Sequence, residues 1–175
     1  MPRQETDLNP ISHITIDAIG KPGQRVFYIQ ASQGEQLFTF IVEKIQVQTL
    51  AIGILQFLEE VRARHPELPE VDGDYDEDQM RIEPPVDPLF RAGELGLAYD
   101  ESQDRMALAV NEILLSGMEE EDGREVRLWC SRDQMLALAR RASEVAERGR
   151  PICPQCGEPM EPEGHFCPKK NGHKH

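Results

Sequence analysis

The chain reads RVFYIQA at residues 25–31 and LFTFIV at residues 37–42, with the turn SQGE between them at residues 32–35. Both runs are rich in aromatic and β-branched residues, which are typical of strands, and the turn contains a glycine. A third run, at residues 13–19, alternates apolar and polar side chains and is followed by the turn GKPG. The sequence therefore predicts three strands joined by short turns in an antiparallel meander.

The hydrophobic period changes after this meander. From Val47 to Val61 apolar residues recur at steps of three and four, which predicts an amphipathic helix that begins near Lys44 and ends before Pro66. The second half of the chain repeats the order of three strands and a helix. Its predicted strands cover residues 90–99, 105–115 and 124–130, and its helix follows the capping box Ser131-Arg132-Asp133-Gln134. The charged residues of this helix, Arg140, Arg141, Glu144, Glu147 and Arg148, are expected to face water.

The two halves resemble each other weakly in sequence, with Gln46 and Gln134 at matching points. Each half alone would leave its helix and one sheet face poorly buried. We therefore predict an α+β fold, in which one antiparallel sheet forms from two strand-strand-strand-helix halves and both helices cover one face. The expected domain spans residues 1–149, with a loose stretch before the first strand and a small C-terminal zinc-binding module at residues 150–175.

Residues 66–88, between the halves, hold five prolines, and nine acidic residues lie between Glu67 and Asp87 against the single base Arg81. Such a segment is too polar for a core and too rich in proline for a helix, so we expect an acidic linker or long loop that is partly mobile. Its acids also follow the spacing of a calcium-binding loop, but Glu77 replaces the required glycine. A solvated acidic loop is the favoured interpretation, and cation binding is left open. The acids at the calcium-loop positions are Asp72, Asp74, Asp76, Asp78 and Glu83.

The formal charge of −13 disfavours general nucleic-acid binding and anionic membrane surfaces, because both need Lys and Arg. No apolar run approaches the roughly 20 residues that cross a bilayer, and the first residues lack the order of a signal peptide. We therefore expect a cytoplasmic protein with no membrane contact. The cysteines agree, because three of the four lie near the C-terminus at metal-ligand spacing, whereas Cys130 stands alone and is expected to be a buried strand residue.

The C-terminal sequence CPQCG at residues 153–157 predicts half of a tetrahedral zinc site, because a Cys-x-x-Cys turn directs both thiolates to one point. Cys167 is the expected third ligand, and the fourth is His165 or His173. With four protein ligands the zinc would be structural, and metal would supply most of the stability of a tail with so few apolar residues. A redox disulfide between Cys153 and Cys156 is the weaker alternative, because the pair lies among prolines.

With these motifs in view, the chain resembles a bacterial family of conserved proteins of unknown function that end in a Cys-x-x-Cys…His-x-Cys zinc-ribbon-like tail. The resemblance rests on residues 20–31, 43–47, 90–93, 149–168 and 171–172. It implies that His165, in the Gly-His-x-Cys element, is the regular ligand, whereas an aromatic residue is common at the position of His173. The implied metal site is therefore Cys153, Cys156, His165 and Cys167. The resemblance implies no activity.

Two functions fit the sequence. The first is a non-enzymatic, partner-binding or regulatory protein with a structural zinc ion and an unknown protein partner. The alternative is a small enzyme or ligand sensor whose site lies on the open sheet face, in a pocket formed by Arg25, Tyr28, Arg127 and Trp129. The uncovered face would also allow a homodimer, and nucleic-acid binding through the tail is disfavoured by the charge.

Overall fold

The computed structural model describes residues 4–21 and 23–148, and it shows a mixed α+β domain with a seven-stranded sheet and two helices. The predicted zinc-binding tail lies outside the described residues. The strand order is β1-β7-β6-β5-β4-β3-β2. The elements are β1 (Gln4–Leu8), β2 (His13–Ile19), β3 (Val26–Gln33), β4 (Gln36–Val42), α1 (Lys44–Arg64), β5 (Pro88–Asp100), β6 (Arg105–Glu112), β7 (Arg124–Cys130) and α2 (Arg132–Arg148).

The sequence prediction located both helices and six of these strands, but two expectations were wrong. The stretch expected to be loose contains β1, which the hydrophobic pattern cannot reveal because Leu8 is its only buried residue. The sheet is also not wholly antiparallel, since β1 pairs with β7 and β4 pairs with β5 in parallel. Neither helix of the described part of the chain is long and apolar enough to cross a membrane.

The sheet curls until its two ends meet. β1 and β2 stand at opposite ends of the strand order, yet only residues 9–12 join them. Four residues span at most about 14 Å, so the ends of the sheet must lie close together. Two hydrogen bonds in this link show the closure: Ile11 donates its N–H to the carbonyl of Trp129 at 2.9 Å, and Ser12 donates its N–H to the carbonyl of Ser32 at 2.7 Å.

The long strand β5 makes both a parallel and an antiparallel pairing, and in the first half these two pairings are divided between β1 and β2. Its first residues pair in parallel with β4, where Phe90 lies opposite Phe40. From Ala92 onward it pairs antiparallel with β6, with a register shift between Ala92 and Leu95. In the same way, β1 pairs in parallel with β7 and β2 pairs antiparallel with β3. The chain is therefore an internal repeat with approximate two-fold symmetry. The first strand segment of each half pairs in parallel with the last strand of the other half, β1 with β7 and the start of β5 with β4.

The matched glutamines have the same role in each half. Gln46 accepts a hydrogen bond from the N–H of Glu43 at 2.7 Å and donates its amide to the carbonyl of Gly93 at 2.5 Å. Gln134 accepts from the N–H of Ser131 at 2.9 Å and donates to the carbonyl of Ser12 at 3.2 Å. Each glutamine thus links the start of its helix to the bend in the first strand of the other half, at Gly93 or Ser12, which satisfies groups that the helix end and the bend leave free.

One apolar core spans both halves and both helices. Matching positions in the two halves contribute to it, since Ile16, Ile29 and Phe40 in the first half correspond to Leu97, Leu108 and Leu128 in the second. Five of these six are fully buried, whereas Leu97 is partly buried and packs against the core. Cys130 is fully buried in this core, and burial raises the pKa of its thiol to about 12. The expectation of a buried strand cysteine is therefore confirmed.

Ion pairs fasten β1 to β7, and their strength should depend on pH. Hydrogen bonds from Arg127 and Trp129 lower the pKa of the Asp7 carboxyl from 3.8 to about 2. Because the folded pKa is the lower one, the stabilisation is complete above about pH 4 and disappears as the pH falls towards 2. We expect Asp7→Asn to unfold more readily at pH 7 and to lose less stability than the parent between pH 4 and 2.

The single tryptophan, Trp129, reports this unfolding directly by fluorescence in denaturant titrations at pH 7, 4 and 2.5. Glu35→Gln, on an exposed turn, is the matched control and should follow the parent at each pH. Parallel curves for Asp7→Asn and the parent between pH 4 and 2 would show that Asp7 does not couple folding to protonation.

Candidate binding groove and the acidic strap

The acidic segment between the halves has no helix or strand, as its prolines predict, but it packs closely on the domain. We call residues 72–83 the strap. At its start the N–H of Asp72 bonds to the carboxylate of Asp133 on α2 at 2.7 Å. At its end the backbone of Glu83 exchanges two hydrogen bonds with the side chain of Gln30 on β3, at 2.8 and 3.0 Å. The strap therefore crosses from α2 over β2 to the sheet.

The middle of the strap is also held. Thr15 on β2 donates its hydroxyl to the carbonyl of Met80 at 2.6 Å, and Met80 is only 3% exposed. The Tyr75 hydroxyl donates to the carboxylate of Glu144 on α2, and burial together with this bond raises the pKa of Tyr75 to about 12. The strap thus covers polar side chains of β2 and β3 that face away from the core.

Arg141 on α2 is the centre of this packing. The sequence prediction placed it on the water-facing side of the helix, which is wrong, because its side chain is 1% exposed. Its Nε donates to the carbonyl of Ile16 on the free edge of β2 at 3.1 Å, and it pairs with Asp17 at 3.1 Å and Glu77 at 2.6 Å. The hydrogen bonds from Arg148 and Arg141 lower the pKa of Glu77 to about 2.

The calcium-loop spacing does not produce a cation site in the described part of the chain. Asp72 accepts the N–H of Asp74 at 2.8 Å, and Asp76 accepts the N–H of Asp78 at 2.9 Å, so these carboxylates cap local turns. Asp74 pairs with Arg140. Within residues 4–21 and 23–148, no three Asp, Glu, His or Cys side chains converge as metal ligands would.

An open groove lies between α1 and β5. Its volume is about 530 Å³, within the usual range for ligand sites. The described lining is mostly apolar, with Glu94 as its single charged residue. Gly53 on α1 leaves space in it, since the nearest atom to a Cβ placed there would be Cδ1 of Leu97 at 4.0 Å. The lining residues are Ile45, Gln46, Thr49, Leu50, Gly53, Phe57, Gly93, Glu94, Leu95, Gly96 and Leu97.

The internal repeat contains a second groove at the matching place, between α2 and β2, and the strap fills it. Only about 200 Å³ remains there. The remaining space is lined by strap residues 72–80 together with domain residues that match the lining of the open groove. By the pairing registers, Glu94 and Leu95 correspond to His13 and Ile14, while Ile45, Gln46 and Thr49 correspond to Asp133, Gln134 and Ala137.

No hydrogen bond or ion pair among the described residues supports the pocket expected on an open sheet face. Arg127 is neutralised by Asp7, Glu5 and Glu125 on the outer side of β1 and β7. Among the described residues, no hydrogen bond, ion pair or ring contact joins Arg25 or Tyr28 to Arg127 or Trp129. The predicted metal ligands Cys153, Cys156, His165 and Cys167 lie outside the described residues, so the structure neither brings them together nor separates them.

The sequence analysis missed the α1–β5 groove. One signal was available, since a glycine inside a helical pattern costs stability and often marks close packing or function. Gly53 is such a residue, and its counterpart in the second half is Arg141.

The fold and this groove define a class: an α+β domain built from an internal repeat, with a filled groove in one half and an open apolar groove in the other. The chain belongs to the family described as "Protein of unknown function (DUF3090)", whose model matches residues 6–167. The resemblance to an uncharacterised family is thereby confirmed. No curated protein and no solved structure matches the chain.

Proposed function

We propose that this protein is a non-enzymatic binding protein that holds an apolar segment of a protein partner in the α1–β5 groove. The observation that carries the proposal is the repeat itself. The same groove in the other half is occupied by a stretch of polypeptide without helix or strand, part of which forms turns at residues 76–80, so the space between helix, strand and bend can hold a peptide. Strand and helix faces that bind extended peptides are a recurrent mode of recognition.

The side chains that differ between the two grooves indicate which peptide the open one accepts. Arg140 and Arg141 bind acidic residues of the strap. Their counterparts on α1 are Ile52 and Gly53, which cannot pair with a carboxylate. An acidic segment would therefore leave its charges unpaired there, whereas apolar side chains would gain the free energy of leaving water.

Filling the groove tests this function. We expect the neutral apolar dye N-phenyl-1-naphthylamine to bind the full-length protein saturably, and Gly53→Trp to weaken binding about tenfold because the indole occupies apolar volume. Gly53→Ala is the matched control, since it also removes the glycine from the helix interior, with a larger gain in helix propensity than Trp, and does not fill the groove. Equal dye binding by the Trp and Ala variants would place the apolar site elsewhere.

The tail is proposed to fold around a structural zinc ion. The donors Cys153, Cys156, Cys167 and His165 form a set of soft ligands that zinc prefers, and His173 is the alternative fourth ligand. We expect about one zinc per chain in tag-free protein, and its loss in Cys153→Ser and His165→Ala while the domain stays folded. Metal analysis beside circular dichroism measures both. His173→Ala should retain the metal, and a metal-free parent after reduction and zinc addition would contradict the site.

The alternative function, a small enzyme or ligand sensor on an open sheet face, has no observation that favours it, since no hydrogen bond, ion pair or ring contact among the described residues joins Arg25 or Tyr28 to Arg127 or Trp129. The cytoplasmic location and a homodimer stay predictions.

A further inference from the structure

We infer that the resident occupant of the α1–β5 groove is the C-terminal tail of the same chain, residues 150–175. The inference rests on the groove of the proposed function and adds the identity of its first occupant. It makes the tail an autoinhibitory segment, which an external partner must displace in order to bind.

The position of the tail in the repeat supports this. The segment that follows α1 fills the groove of the other half, between α2 and β2. By the two-fold relation, the segment that follows α2 belongs in the groove between α1 and β5. The strap reaches its groove at Asp72, eight residues after α1 ends at Arg64, and 27 residues follow the end of α2 at Arg148. The available chain is therefore long enough.

The tail has apolar residues and fewer acidic residues than the strap, and both properties suit the apolar lining of this groove. Three apolar residues, Ile152, Met160 and Phe166, could enter an apolar lining. The charge does not oppose docking, because residues 150–175 contain four Lys and Arg against three Glu, and three zinc-bound thiolates with Zn²⁺ would add −1. The tail is then about neutral, whereas the whole chain carries −13, so a neutral segment would enter beside Glu94 with little repulsion.

Photo-crosslinking in the full-length protein tests the inference, with the filled groove as internal standard. p-Benzoylphenylalanine replaces Ile45, which is 67% exposed and lines the open groove. In a second variant it replaces Asp133, the matching residue beside the strap. After irradiation, mass spectrometry should find Asp133-position crosslinks to residues 72–83 and Ile45-position crosslinks to residues 150–175 within one chain. The same photo-reactive residue in place of Leu115, an exposed hairpin residue, should not crosslink to the tail.

A further substitution separates docking from chance encounter. Met160→Asp should reduce the tail crosslink about tenfold, because a carboxylate cannot enter an apolar lining. Its zinc content should stay that of the parent, since Met160 is not a proposed ligand. The inference is overturned if the Asp133 position crosslinks the strap while the Ile45 position never reaches the tail, or reaches only the tail of another chain.

The dye distinguishes failure of this inference from failure of the proposed function. If the tail docks, Met160→Asp should bind N-phenyl-1-naphthylamine more tightly than the parent, and Gly53→Trp should abolish the gain. Dye binding that depends on Gly53 but not on Met160 would retain the groove and overturn the docked tail. Tail crosslinks with no dye binding in either form would retain the docked tail and contradict a groove open to partners.

Discussion

Replacement of Arg141 by alanine is expected to lower the free energy of unfolding by about 3–5 kcal/mol, the usual cost of removing one partner from a buried charge network. The guanidinium is almost wholly buried and bonds to the carbonyl of Ile16, to Asp17 and to Glu77. Without it, Asp17 keeps a mostly buried carboxylate that has lost its cation, and the carbonyl of Ile16 loses its donor. The strap also loses a link to α2.

The neighbouring Arg140 provides the control for this measurement. Its side chain is 50% exposed and pairs with Asp74 at 3.5 Å, so Arg140→Ala should cost at most about 1 kcal/mol. Guanidinium titrations followed by Trp129 fluorescence give both values. Limited proteolysis adds a local readout, since Arg141→Ala should expose the strap to cleavage before the domain unfolds. A loss below about 1 kcal/mol for Arg141→Ala would mean that the buried guanidinium contributes little net stability.

The elements that the sequence predicted are those whose signals are local. Alternation in β2 and β7 and the three- and four-residue steps of α1 report one buried face each, and the observed bounds follow them closely. β1 gave no such signal, because its stabilisation comes from ion pairs such as Asp7–Arg127, whose partners are 120 residues apart. Parallel pairing of β4 with β5 was missed for the same reason, since pairing partners distant in sequence leave no periodicity.

The strap and Arg141 show a second limit of sequence reasoning. Acidic residues among prolines are typical of a solvated loop, and an arginine that follows another arginine, as Arg141 does, is typical of the outer face of a helix. Both interpretations fail in the fold because Glu77 and Arg141, 64 positions apart in sequence, form an ion pair with each other. The groove was missed because an unfilled surface is recognised only by comparison with its filled counterpart, which requires the three-dimensional repeat.

The second large effect is expected at Phe40. This residue is fully buried where β4 and β5 pair, and its ring centroid lies 5.0 Å from that of Phe90. Phe40→Ala should lower the free energy of unfolding by about 3–5 kcal/mol, through lost apolar burial and the cavity that remains. Leu128, its counterpart in the repeat, lies opposite Leu8 where β7 pairs with β1. Leu128→Ala should cost about 2–5 kcal/mol by the same mechanism.

Both substitutions should shift one transition and leave its slope against denaturant unchanged, because the single core cluster draws on both halves and both helices. Leu115→Ala, at a position 63% exposed, is the control and should stay within about 0.5 kcal/mol of the parent. Two separate transitions would show that the halves unfold independently and would contradict a shared core. A cost below about 1.5 kcal/mol for Phe40→Ala would mean that the seam between β4 and β5 repacks. In either case the packing at the two parallel strand pairs, Phe40 on Phe90 and Leu128 on Leu8, would not be what holds the two halves of the sheet together.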